Sequence, residues 1–128
     1  MVAVVDDDPS VVKALVSLRE SVGYNAAGFT SAEEFLNSAR LGQTACLILD
    51  VRMPGMGGLE LQRRLAAQAG HAPIIFITAH GSGEISAEAL RRGALAFLRK
   101  PFSQDSLLEA VRSALARRAK PCAHEKTQ

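Results

Sequence analysis

The sequence predicts an α/β fold, a parallel sheet of five strands covered by helices on both faces. Three observations carry this. Short apolar runs alternate with amphipathic stretches five times along the 128 residues. The runs, such as Cys46 to Leu49 and Ile74 to Ile77, are continuously apolar, the pattern of strands buried on both faces. Several of them end abruptly in a charged or hydroxyl residue. Such β–α–β units form a parallel sheet with right-handed crossovers.

The elements follow in order. Residues 2–6 (VAVVD) are the first strand. Pro9 suits the first turn of a helix. Val11, Leu15, Leu18 and Val22 then recur at spacings of 4, 3 and 4, an amphipathic face that Gly23 ends. Residues 24–29 (YNAAGF) read as a weaker strand. Thr30 or Ser31 caps a short helix over 32–39, with Glu33 and Glu34 in the first turn, where the helix dipole favours acidic groups. Residues 46–50 (CLILD) are the third strand. A helix from Gly58 to Ala69 carries Leu61 and Leu65. Residues 73–78 (PIIFIT) are the fourth strand, 84–92 a helix stopped by Gly93, and 94–98 (ALAFL) a short fifth strand. A last helix over 104–117 presents Leu108, Val111 and Leu115. The sequence therefore divides into one domain, 1–117, and a linker or tail, 118–128.

Bulk composition narrows the function. Hydrophobic content is 48% and charged content 22%, ordinary for a globular chain. No apolar run approaches the roughly 18 residues that cross a bilayer, and Met1 leads into a strand without a basic leader. A cytoplasmic location and no membrane partner are expected. The formal net charge of +2 is uneven: the segment from Arg117 onward is basic and the remainder slightly acidic. A nucleic-acid-binding surface on the folded part is not expected. Two cysteines make no disulfide framework, and no Cys or His spacing points to zinc. Cys46 reads as core and Cys122 as a thiol in the polar tail. His71 and His124 read as surface residues.

The third strand runs into ILDVRMPGMGGL, where a carboxylate, a proline and three glycines follow an apolar run. A charge at the end of a buried strand needs a partner, a metal or water. Ligands of open parallel sheets sit at the carboxyl ends of the strands. Those ends carry Asp6, Asp7 and Asp8 on the first strand, Asp50 on the third, Thr78 on the fourth and Lys100 just after the fifth. The second ends in Gly28-Phe29 and contributes no reactive group. Asp8, before Pro9, is the better cap for the first helix. Crowded carboxylates call for a cation, and an all-oxygen set selects a hard ion such as Mg2+. An aspartate can accept a phosphoryl group as an acyl phosphate. Metal, ammonium and hydroxyl are the parts that such transfer needs.

With VVDDD, LDVRMPGMGGLEL, FITAHG and FLRKPF in this order, residues 2 to about 117 resemble the receiver domain of bacterial two-component response regulators. The TAHG and KPF variants are most similar to regulators with a helix-turn-helix DNA-binding output domain. The resemblance implies a flavodoxin-like, doubly wound (βα)5 fold with strand order 2-1-3-4-5. It implies that Asp50 is the phosphoacceptor, charged by a sensor histidine kinase. Asp7 and Asp50 would bind Mg2+ directly, Asp6 through a water, and Arg52 through its backbone carbonyl. Thr78 and Lys100 would each bind a phosphoryl oxygen, and the Lys100-Pro101 bond would be cis. Phe97 would be the switch aromatic that turns inward as Thr78 moves. Arg52 and His80 would flank the access of water and tune the lifetime of the phosphate. The responding surface would be 79–98, where Gly81 and Gly83 make the loop pliable, with homodimer pairing through 84–98. DNA would be reached only through an output domain absent from this chain. The stretch 82–85 (SGEI) departs from close relatives, which often carry an acidic residue and a proline there.

Three other readings fit less well. A Mg2+-dependent phosphotransferase or phosphatase with an aspartyl-phosphate intermediate would want an acidic residue two positions after the nucleophile, where Arg52 stands. A flavodoxin-like cofactor binder would want a Ser-, Thr- and Gly-rich loop where DDDPS stands. A degenerate receiver, acting only as an interaction module, would not need the complete acidic set. The expectation is a switch module rather than a metabolic enzyme, either a stand-alone receiver or, as the linker-like tail favours, a piece of a longer transcription regulator.

Overall fold

The computed structural model describes residues 2–17, 25–38, 44–53, 55–67, 72–79 and 83–119. Five strands, β1 (Val2–Val5), β2 (Ala26–Phe29), β3 (Cys46–Asp50), β4 (Ile74–Thr78) and β5 (Ala96–Arg99), alternate with five helices. These are α1 (Pro9–Val16), α2 (Ala32–Leu36), α3 (Gly58–Ala66), α4 (Gly83–Arg91) and α5 (Gln104–Ala119). All strand pairs are parallel, in the order β2-β1-β3-β4-β5. This is the expected flavodoxin-like order. The chain winds outward from β1 in both directions, so the carboxyl ends of β1 and β3 lie side by side where the winding reverses.

Each face of the sheet has its own core. Ala3, Val5, Leu47, Leu49 and Phe76 point to one side and meet Phe35 of α2, Leu61 and Leu65 of α3, and Ala89 of α4. Val2, Val4, Cys46, Ile48, Ile75 and Ile77 point to the other and meet Leu15 of α1 and Leu107, Val111 and Ala114 of α5. The period of two in the strands thus sorts one continuous apolar run onto two faces. Strands β1, β3 and β4 are buried throughout, whereas β5, at the edge, is half-buried.

Local chemistry sets the helix starts. The Asp8 carboxylate accepts the Ser10 N–H at 2.9 Å, and Pro9 begins α1. Of the two possible caps for α2 the structure uses Ser31, whose Oγ accepts the Glu34 N–H at 3.0 Å. Glu34 returns a carboxylate oxygen to the Thr30 N–H, a reciprocal arrangement close to a capping box. Gly58 opens α3 against the end of β3. A Cβ there would lie 2.4 Å from the Asp50 carbonyl oxygen, so only glycine allows this approach.

Boundaries differ modestly from expectation. Strand β5 begins at Ala96 rather than at 94, because the Ala94 N–H is used by the end of α4, bonding the Ala89 carbonyl at 3.0 Å. The last helix runs to Ala119, two residues further than expected. The expected second half of the first helix (Leu18, Val22, Gly23), Tyr24 and the 120–128 tail lie outside the described residues.

Candidate functional site

The sheet delivers its polar residues to one edge. Asp50 is the last residue of β3 and Thr78 the last of β4; they are 5% and 1% exposed. Asp6 follows β1 and is completely buried, while Asp7 is exposed. Lys100 follows β5, and its N–H donates to the Thr78 carbonyl at 2.7 Å. The Lys100-Pro101 bond is cis, as expected. Oxygens of Asp6, Asp7 and Asp50 all lie within 4.8 Å of one another.

Asp6 is the centre of the polar network. One carboxylate oxygen accepts the Asp8 N–H at 2.9 Å and the other accepts the Lys100 ammonium at 2.9 Å. The ion pair spans β1 and β5 across the width of the site. Asp50 is held differently. Burial pushes its carboxyl up from 3.8 to about 7, and the Asp6 carboxylate adds to the shift. The Lys100 ammonium opposes it, Asp7 raises it further, and the Arg52 backbone N–H, bonding the carboxylate, lowers it. A carboxylate crowded by two others is a strong acceptor in want of positive charge.

That donor set tests the expected metal. Three carboxylates converge, one of them exposed, and an all-oxygen group of this kind fits a hard divalent cation with room for waters and a phosphate oxygen. Asp7 and Asp50 remain for direct ligation. The oxygens of Asp6 are engaged by Lys100 and by the Asp8 N–H, which suits a role through water.

The loop after Asp50 shapes the mouth. Val51, Arg52, Met53, Gly55 and Gly57 line an open cleft of about 370 Å³. Arg52 is exposed there. The Met56 N–H donates to Glu33 at 3.1 Å, tying this loop to the start of α2. The sequence marked Glu33 only as a first-turn acid; a contact over 23 residues leaves no local signal.

Phe97 is not at the carboxyl end of its strand. It lies within β5, half-buried, with its ring centroid 6.1 Å from that of Phe76. His80, Pro54, Gly81 and Ser82 lie outside the described residues. The site residues that are brought together are thus Asp6, Asp7, Asp50, Thr78 and Lys100.

A family model described as the response regulator receiver domain matches residues 2–112. The chain belongs to this family. Among curated relatives, this receiver domain is 46% identical over 115 residues to the response regulator protein TmoT of Ectopseudomonas mendocina, covering 90% of this chain and 52% of that protein. It is 42% identical over 118 residues to the transcriptional regulatory protein FixJ of Azorhizobium caulinodans, covering 92% and 56%. The receiver domain therefore spans about half the length of the curated relatives it matches. Among solved structures it is similar to response regulator StyR, with a TM-score of 0.86 and 44% identity, covering 99% of this chain and 64% of that one. A receiver protein from Burkholderia phymatum matches with a TM-score of 0.76 and 46% identity, covering 90% and 94%.

Proposed function

We propose that this receiver domain is a phosphorylation-controlled switch that takes a phosphoryl group from a sensor histidine kinase onto Asp50. The observation that carries the reading is Asp50 itself. It is a buried carboxylate at a strand end, crowded by Asp6 and Asp7, with the Lys100 ammonium opposing its shift and Thr78 ending the neighbouring strand. An Asp50 oxygen attacks phosphorus, the bond from phosphorus to the kinase imidazole nitrogen breaks, and the imidazole keeps the electron pair and takes a proton. A bound Mg2+, held by Asp7 and Asp50, by the Arg52 carbonyl and by Asp6 through water, would supply charge neutralisation for the transferred group. The Lys100 ammonium, now on Asp6, is placed to be shared with a phosphoryl oxygen, and the Thr78 hydroxyl to donate to another.

The new anionic group draws Thr78 and Lys100 toward β3, and these two residues bracket the 79–98 surface in the chain. In this reading Phe97, half-buried against Phe76, is the switch aromatic, and Arg52 and His80 tune the lifetime of the phosphate. Pairing of two copies through 84–98 is supported by Leu90 of α4, a large apolar side chain left 47% exposed. The relative FixJ is named a transcriptional regulatory protein, which supports control of a DNA-binding output. A phosphatase reading is disfavoured by Arg52, which cannot serve as a carboxylic acid two positions after the acceptor.

Incubation with Mg2+ and acetyl phosphate followed by intact-mass measurement tests the reading. We expect a gain of roughly 80 Da that needs Mg2+ and is absent in Asp50→Asn. A folded protein that gains no mass under any condition would instead be an interaction module.

A further inference from the structure

Gln62 is a polar residue in an apolar place. Gly58, Leu61, Gln62 and Leu65 are the buried residues of α3 and follow the i, i+3, i+4, i+7 stripe of a core-facing helix. Gln62 is 3% exposed. Its Nε2 donates to the Ala89 carbonyl of α4 at 3.1 Å, while its Oε1 has no partner among the described residues. Ala89 offers a carbonyl acceptor, so the amide is oriented with nitrogen toward α4.

The Ala89 carbonyl is also the acceptor at the end of α4. Gly93 has φ +104° and its N–H bonds Leu90 O at 3.0 Å; the Ala94 N–H bonds Ala89 O at 3.0 Å. These are the two bonds of a Schellman cap. The next N–H, of Leu95, bonds Ile74 O of β4 at 2.8 Å. The carboxyl end of α4 is thereby fastened by its own cap, by β4 and by the side chain of α3. At the amino end Ile85 rests on the core and Ser86 bonds back to Gly83 O within the helix.

We propose that Gln62 is a positioning residue that anchors the carboxyl end of α4, so that α4 responds to the site as a lever hinged at Ala89. The direction of the lever rests on the phosphorylation reading; the anchor does not. A half-bonded buried amide is unfavourable compared with an apolar side chain of the same shape. Removing it leaves Ala89 O still bonded by Ala94 N–H and eliminates the orphaned Oε1. A merely structural Gln62 would lower the melting temperature when lost. An anchor can be lost with the melting temperature held or raised.

The test uses Gln62→Met, with Gln62→Leu as a second variant, and backbone NMR with amide exchange. Without any phosphoryl group, the Gly93 and Ala94 amides should exchange about fivefold faster in both variants, as expected for one lost hydrogen bond, at an unchanged or higher melting temperature. With Mg2+ and beryllofluoride, shift changes in the unaltered protein should be largest near 83–86 and fade toward 89–94. In the variants they should extend through 94. Unchanged exchange in both variants overturns the anchor. Changes in the unaltered protein that peak at 89–94 overturn the lever. Absence of any shift change together with absence of mass gain from acetyl phosphate overturns the switch reading and the lever with it, and exchange still decides the anchor.

Discussion

Lys100 places its ammonium 2.9 Å from Asp6, a carboxylate without solvent exposure, and not on the proposed acceptor. The resting site is therefore already neutralised in part, and a phosphoryl group on Asp50 would compete with Asp6 for the same ammonium. Lys100→Met should destabilise the protein by about 3 kcal/mol, because it strands a buried charge. Asp6→Asn should be milder, since it keeps an acceptor for the Asp8 N–H. Urea titrations of both variants check the order; a larger loss in Asp6→Asn would contradict it.

Asp50 sets a pH dependence. Its folded carboxyl titrates near 7 against 3.8 ordinarily, so the folded state holds the proton longer. Asp50's contribution to metal-free stability should be greatest below about pH 4, fall between there and about 7, and level off above. Asp50→Asn should flatten that slope and stabilise the protein at pH 8. Thermal melts in chelator across this range measure it. Added Mg2+ should raise the melting temperature most at the alkaline end, where the carboxylates are ionised.

Gly58→Ala should destabilise by about 2 kcal/mol, because its Cβ would meet the Asp50 carbonyl at 2.4 Å and backbone must move. The same movement displaces the acceptor, so phosphorylation by acetyl phosphate should slow as well. Gly57→Ala is the control: its Cβ would sit 3.4 Å from Val51 O, within ordinary contact.

Cys46 is buried completely, and burial pushes its thiol up to about 12. In Cys122→Ser protein, a thiol reagent at pH 8 should find no reactive group until denaturant is added. The folded thiol's raised value also contributes stability that is complete below pH 9 and fades toward 12. Cys46→Ala should lack that alkaline loss.

The strands and the site were legible for a shared reason. Continuous apolar runs ending in Asp50 or Thr78 report burial on two faces and the edge where it stops, and both facts are local. Partner choice is not local. Nothing near Lys100 says that it binds Asp6, 94 positions away. Gln62 was overlooked although it lies on the stripe of Leu61 and Leu65, because a polar residue there breaks the pattern that defines the stripe. The shift of β5 came from the cap of α4, which takes a backbone N–H that periodicity alone would give to the strand.

The two cores on either side of the sheet have a consequence for how such a chain can change over generations. Phe76 belongs to the face of α2, α3 and α4, while its neighbours Ile75 and Ile77 belong to that of α1 and α5. Substitutions on opposite faces share few contacts, so their effects should nearly add. Each face can then drift at its own pace: one side can be retuned toward new partners while the other keeps its inherited packing, with the strand ends as the one feature both must leave alone.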